Sequence, residues 1–188
     1  MNKELRFTGF GGQGIILAGY ITGKAAAIYA NLYATLTQNY GPESRGGASS
    51  AQLIISDETI FYPNITHPDI LVAMSWEGYA KYKDELKPGG ILLIDEDLVK
   101  IAGPETKPGV SANGVKRTDV KIARIPATRL AEQLGKKMVA NIVMLGFVAG
   151  QTNLLPKKAM EEAIKTSVPP ASIELNMKAF NLGFDHKG

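Results

Sequence analysis

The sequence predicts a three-layer α/β fold in which a mostly parallel sheet carries helices on both faces and a hairpin is added beside it. Three observations carry that expectation. The chain opens with a strand, a glycine-rich turn and a helix; short apolar runs of strand length alternate with helix-length segments further on; and residues 141–151 are apolar nearly all round, as a deeply buried helix would be. Crossovers of this βαβ kind join parallel strands and pack their helices back on the sheet. At 188 residues the chain suits one domain, taken as residues 1–188, with a sizeable core.

Residues 4–10 alternate apolar and polar side chains, which gives the first strand, and glycines follow at once. From Gly14 onward, the spacing of Leu17, Ile21, Ala25 and Ile28 predicts a buried helical face. Gly19 and Gly23 lower the helical propensity of that stretch, but their spacing suits close packing against a sheet. Residues 32–37 and 51–56 read as the second and third strands. Asp57-Glu58 then makes a tight turn into residues 59–62, and Pro63 stops the hairpin so formed.

Residues 69–74 are a continuous apolar run, suited to a strand covered on both faces. Ser75 is placed to cap a helix bearing Trp76, Tyr79, Ala80 and Leu86, and Lys87-Pro88-Gly89-Gly90 ends it before a strand over 91–95. Residues 102–119 are the most loop-like stretch, and 120–125 return as a strand. A short helix over 127–134 carries Leu130 and Leu134 on one face and ends at Gly135. Pro156 starts the next helix, Pro169-Pro170 interrupts, and residues 171–183 form the last one.

Composition removes several kinds of chemistry. There is no cysteine, which excludes disulfides, thiolate nucleophiles, cysteine-ligated zinc and any iron–sulfur cluster held by this chain alone. The first residues lack an apolar segment after their charges, and the strongly apolar stretch 142–150 falls far short of the roughly 20 residues of a membrane-spanning helix. A cytoplasmic protein with no membrane partner is expected. Residues 95–188 hold 14 of the 21 basic side chains, but these are interspersed with acids and not stacked with aromatics, so no nucleic-acid platform is indicated.

Gly9-Phe10-Gly11-Gly12-Gln13-Gly14 satisfies the G-x-G-x-x-G spacing between a strand and a helix, the context that makes the sheet Rossmann-like. Glycines allow a tight turn and close backbone approach, while unpaired N–H groups and the dipole at the helix start attract a phosphate or carboxylate. A steep, tightly packed corner with no ligand would use the same glycines. A nicotinamide enzyme would place an acid about 20 positions further on to hold the ribose. Residues 31–38 contain none, which disfavours NAD.

A second glycine-rich segment, residues 40–50, should lie near that turn at the sheet's carboxyl edge. In it Arg45, beside Ser44, Gly46 and Gly47, offers a fork of donors for a carboxylate or phosphate, against a local contact with Glu43 as the plainer reading. His67 and His186 have no metal-ligand partner in sequence, and Asp95-Glu96-Asp97 reads as a solvated turn. Asn141 reads as a buried hydrogen-bonding or capping residue. No nucleophile–base pair emerges, so neither a catalytic residue nor a metal site is assigned. Residues 86–95 resemble a late strand entry of S-adenosylmethionine methyltransferases, which leaves a stand-alone nucleotide- or S-adenosylmethionine-binding protein as an alternative.

Residues 9–19 (Gly-Phe-Gly-Gly-Gln-Gly-Ile-Ile-Leu-Ala-Gly), 40–47 (Tyr-Gly-Pro-Glu-Ser-Arg-Gly-Gly), and 125–135 with 139–146 together resemble the gamma subunit of 2-oxoacid:ferredoxin oxidoreductases. The match spans most of the chain. Its detail is most similar to the 2-oxoglutarate enzymes, while the pyruvate, branched-chain 2-oxoacid and indolepyruvate relatives share the first motif.

The resemblance implies a gamma-type domain in a complex that oxidatively decarboxylates a 2-oxoacid with thiamine diphosphate. Electrons pass through iron–sulfur clusters to ferredoxin, and an acyl-coenzyme A is released. It implies alpha and beta partners, with a ferredoxin-like delta subunit as a further candidate, and assigns thiamine and clusters mainly to those chains. An accessory subunit inactive alone is therefore expected. The same resemblance makes Gly9, Gly11, Gly12, Gln13, Gly14, Ser44, Arg45, Gly46 and Gly47 candidates for contact with coenzyme A.

Overall fold

The computed structural model describes residues 1–39, 48–101 and 120–188. Six strands among them form one sheet in the order β2-β3-β1-β4-β5-β6. β1 (Asn2–Phe10), β4 (Ile70–Ala73), β5 (Ile91–Asp95) and β6 (Lys121–Ile125) run parallel. β3 (Ala48–Ser56) lies antiparallel between β1 and β2 (Tyr33–Asn39).

The expected mostly parallel sheet with an added hairpin is present, but the hairpin pairs the second and third strands and leaves residues 59–62 out. β3 already has a partner on each side, so no ladder is open to a further strand. Ser56 Oγ accepts the Glu58 N–H at 3.0 Å, turning the chain away, and Phe61 stands 92% exposed. The expected loop at 102–119 lies outside the described residues.

α1 (Ile15–Lys24) continues into a wide helical turn over Ala25–Tyr29. Its face differs from the expected one. Ile21 and Ala25 are buried, but Leu17 is exposed and Ile28 keeps 67% of its surface. Ile15, Ala18, Gly19, Thr22 and Gly23 are buried as well, and the closest approach to the sheet is at the two glycines. A Cβ at Gly19 would lie 2.8 Å from the Ala51 Cβ, and one at Gly23 would lie 3.1 Å from Leu53 Cδ1. Small residues mark the contact because the helix lies too close for large ones.

α2 (Trp76–Tyr82) begins as expected, with Ser75 Oγ accepting the Gly78 N–H at 3.1 Å. Gly78 and Tyr82 face the sheet, and Trp76 and Ala80 are exposed, because the close approach of Thr8 leaves room only for a glycine. α3 (Ala127–Gln133) buries Ala127, Thr128 and Ala131, with Leu130 and Leu134 half-buried beside them, and Gly135 ends it at φ 86°. α4 (Ala140–Thr152), α5 (Lys157–Lys165) and α6 (Ile173–Phe184) complete the described helices.

The two faces of the sheet are unequal. Leu5, Phe7, Leu53, Val72 and Leu93 share a large core with α1, α3, α4, α5 and α6, whereas Leu71, Ala73, Leu92 and Ile94 form a smaller one with Tyr82 and Leu86. Across the smaller face Arg6 is buried, stacks 4.3 Å from the Tyr82 ring centroid, pairs with Glu85 and donates to the Ile65 carbonyl at 3.2 Å. Residues 120–188 contribute most of the covering layer, since α4 is buried on all sides from Ala140 to Ala149.

α4 and α6 cross at backbone contact. A Cβ at Gly146 would run into the Phe180 carbonyl, and one at Gly183 into the Val143 carbonyl. Neither obstacle is a side chain that could swing aside. Gly146→Ala is therefore expected to cost about 3 kcal/mol and to lower the melting temperature by roughly 6–12 °C. Gly11→Ala, with no described residue within 4 Å of the new methyl, should stay within about 0.5 kcal/mol of the parent. Thermal unfolding of the two variants side by side checks both.

Candidate functional site at the carboxyl edge of the sheet

β1 ends at Phe10 and α1 begins at Ile15, so residues 11–14 reverse the chain. The Gln13 N–H donates to the Phe10 carbonyl at 3.2 Å and closes the turn. The Gln13 side chain works in both directions: its Oε1 accepts the Phe10 N–H at 2.6 Å, and its Nε2 donates to the Met74 carbonyl at 2.9 Å. One amide thus ties the turn to its own strand and to the end of the neighbouring parallel strand. Gly9 leaves room for that lock, since a Cβ there would meet Gln13 Oε1 and lie 2.7 Å from Ile15 Cδ1.

Gly12 at φ 93° and Gly14 at φ 72° occupy the left-handed region that favours glycine. Gly14 carries a second constraint, because Asn141 of α4 donates from Nδ2 to its carbonyl at 3.2 Å and fills the space a Cβ would need. Gly11 and Gly12 differ from the rest. Both are exposed, and no atom of the described residues lies within 4 Å of where a Cβ would stand on either.

The candidate residues of the first motif therefore divide by use: Gly9, Gln13 and Gly14 are engaged inside the protein, and Gly11 and Gly12 are exposed, clear of side chains of the described residues. α1 starts without a side-chain cap and without an acid in its first turn. Its first N–H groups and the positive end of its dipole remain available to an anion.

Ser44, Arg45, Gly46 and Gly47 lie outside the described residues. The strands that flank them are informative. Asn39 pairs with Ser50, and Ala48 pairs with Phe10, so the segment leaves and rejoins the sheet at the same edge as the glycine turn. Ser49 Oγ also donates to the Gly9 carbonyl at 3.3 Å, joining the start of β3 to the first glycine.

The other expectations sort as follows. Glu96 and Asp97 are paired with Arg129 at 3.2 and 3.0 Å, but Asp95 is fully buried, which the reading of all three as a solvated turn missed. Its Oδ2 accepts the Thr128 N–H at 2.9 Å and the Thr128 hydroxyl at 2.6 Å, and its Oδ1 accepts the Asp97 N–H at 3.1 Å. Asp95 thereby anchors the start of α3 from the end of β5. The signal in sequence was its position, last in a strand covered on both faces.

His186 is packed edge-on against Phe147 at 5.7 Å between ring centroids. Among the described residues no group of acids and histidines could hold a metal ion, and no helix is long and apolar enough to cross a membrane.

The family profile for pyruvate ferredoxin/flavodoxin oxidoreductase matches residues 4–186. The chain belongs to this family. It is similar to the 2-oxoglutarate synthase subunit KorC of Methanocaldococcus jannaschii, with 50% identity over 186 residues that cover 98% of this chain and 94% of the relative. The KorC subunit of Methanothermobacter thermautotrophicus is likewise 50% identical over 184 residues, covering 97% and 94%. Among solved structures, the gamma subunit of a keto/oxoacid ferredoxin oxidoreductase from Geobacter sulfurreducens superposes with a TM-score of 0.81 at 41% identity, covering 97% of this chain and 96% of that one.

This membership sets aside the methyltransferase-like reading of residues 86–95. In the fold its glycine loop, residues 87–90, sits at the amino edge, opposite the glycine turn, where Lys87 pairs with Glu4 and Asp69 at 3.2 Å each, and β5 follows it across the sheet.

Burial pushes the Asp95 carboxyl above the ordinary value near 3.8; the Thr128 hydroxyl and the Asp97 and Thr128 N–H groups oppose the shift without cancelling it. The folded protein holds this proton more tightly than the unfolded chain, so the Asp95 contribution to stability is greatest below about pH 3.8 and declines as pH rises through its folded-state pKa. The stability gap between the parent and Asp95→Asn should therefore narrow on going from acid to neutral pH. Urea unfolding of the pair across that range measures it, and a gap that widens with pH would contradict it.

Proposed function

We propose that this chain is the gamma subunit of a 2-oxoglutarate synthase, an oxidoreductase that converts 2-oxoglutarate and coenzyme A to succinyl-coenzyme A with transfer of electrons to ferredoxin. The observation that carries this reading is 50% identity, over nearly the whole chain, to subunits bearing that name. In this reading the chain is accessory and inactive alone. Thiamine diphosphate and the iron–sulfur clusters reside on alpha and beta subunits, with a ferredoxin-like delta subunit as a further partner, and the complex is cytoplasmic. A chain without cysteine has no thiolate with which to bind a cluster, and that division of labour suits it.

An assembled subunit needs surfaces to bury. A shallow groove of about 400 Å³ runs between α1 and β2, bounded by Tyr20, Ala27, Ile28, Ala34 and Leu36, and its apolar walls suit a subunit contact. The contribution of this chain to the reaction is the glycine turn. Gly11 and Gly12, backed by the uncapped start of α1, receive an anionic part of coenzyme A, and Ser44, Arg45, Gly46 and Gly47 contribute further contacts to coenzyme A at this rim. Held at the carboxyl edge, the acyl acceptor is presented to an active site formed with the partner chains.

Kinetics of the assembled complex test this. Gly11→Asp places a carboxylate in the open space beside the turn and is expected to raise the KM for coenzyme A roughly tenfold, about 1.4 kcal/mol, leaving the KM for 2-oxoglutarate within twofold. Arg45→Ala should act in the same direction. An unchanged coenzyme A requirement in both would remove the rim from the site. Ferredoxin reduction by the purified chain alone, given 2-oxoglutarate and coenzyme A, would overturn the accessory role.

A further inference from the structure

We infer that Asn141 is the positioning residue of the glycine turn, setting its geometry for coenzyme A from the opposite layer of the fold; this rests on the reading of Gly11 and Gly12 as the coenzyme A contact. Asn141 stands in the first turn of α4 with only 3% of its surface exposed, in a helix otherwise buried through apolar side chains. A polar amide there costs desolvation that a leucine would not. What it gains is one directed bond, from Nδ2 to the Gly14 carbonyl at 3.2 Å.

That carbonyl is the pivot of the turn. It also accepts the Ala18 N–H at 2.9 Å, the first hydrogen bond of α1, so a shift of Gly14 tilts the N–H groups that face the open space. The amide occupies the cradle left by the missing Cβ of Gly14, a fit that fixes position as well as bonding. Behind Asn141, α4 is braced at backbone contact through Gly146 and Gly183 of α6. Gln13 holds the opposite side of the turn to Phe10 and Met74. Two buried-side amides thus clamp a turn whose middle, Gly11-Gly12, is exposed and leaves the place of a Cβ clear of the described residues.

Positioning predicts a signature that packing alone does not. Asn141→Leu keeps the branched shape and suits the apolar surroundings but removes the donor and adds bulk; Asn141→Ala removes the donor and needs no extra room, and serves where the leucine variant fails to assemble. In the assembled complex each is expected to raise the KM for coenzyme A about tenfold while kcat stays within about threefold and the KM for 2-oxoglutarate within twofold. A coenzyme A KM within twofold of the parent in an assembled variant overturns the inference. So does a parallel loss in kcat and both KM values, which would mark a merely structural residue. If Gly11→Asp raises the coenzyme A KM and the Asn141 variants do not, only this inference falls. If neither does, the coenzyme A reading of the turn falls as well.

Discussion

The close approach of α1 to the sheet governs the rest of the structure. Gly19 comes so near β3 that its missing Cβ would lie 2.8 Å from the Ala51 Cβ and 3.0 Å from Leu36 Cδ1. A helix held that close must start almost directly above the end of β1, which leaves only residues 11–14 to turn the chain. A reversal that short forces left-handed backbone at Gly12 and Gly14 and leaves polar groups that the sheet ladder no longer pairs. Gln13 and Asn141 satisfy several of them with neutral amides. The neutrality matters, because an aspartate in either place would repel the anion that the helix start otherwise attracts.

Topology does the second half of the work. Because β3 runs antiparallel beside β1, the connection between β2 and β3 opens at the carboxyl edge instead of crossing beneath the sheet. That is why two glycine-rich segments far apart in function-neutral sequence have attachment points next to each other, at Phe10 and Ala48. The opposite face is thinner, and buried Arg6 pins it by joining β1, Tyr82, Glu85 and the Ile65 carbonyl. Removing one partner from such a group costs more than never having had it, since a buried guanidinium would lose its counter-charge.

Much of this was legible in the sequence, for reasons that can be named. Strand one, the Ser75 cap, the all-round buried α4 and the Gly135 stop each rest on a local rule, so local reading found them. The failures are tertiary. Residues 59–62 look like a hairpin arm, but β3 has no free edge for them. Leu17 and Ile28 look like a buried face by spacing and hydrophobicity, yet α1 lies closest to the sheet at Gly19 and Gly23, so these two stand exposed and Ile28 borders the groove beside β2. Asp95 reads as part of an acidic turn until the start of α3 is seen to lie over it. At the glycine turn the motif was plain, but its division into engaged and open residues was not, because that depends on Met74 and Asn141, which are far away in sequence.

The same topology explains why a dinucleotide fits this edge poorly. In a nucleotide-binding βαβ unit the second strand lies parallel and adjacent to the first, and an acid at its end reaches the ribose of a ligand seated on the glycine turn. Here β2 is parallel to β1 but one strand removed, with β3 between them, so its end stands roughly 10 Å from β1 at the usual spacing of neighbouring strands. An acid placed at Asn39 would be too far to hold that ribose, and the sequence supplies none in this strand. What the inserted strand offers in exchange is an edge where the exposed Gly11 and Gly12 stand beside the ends of β2 and β3. Such an edge suits a ligand that must be presented to chemistry carried by another chain better than one sealed in a cleft of its own.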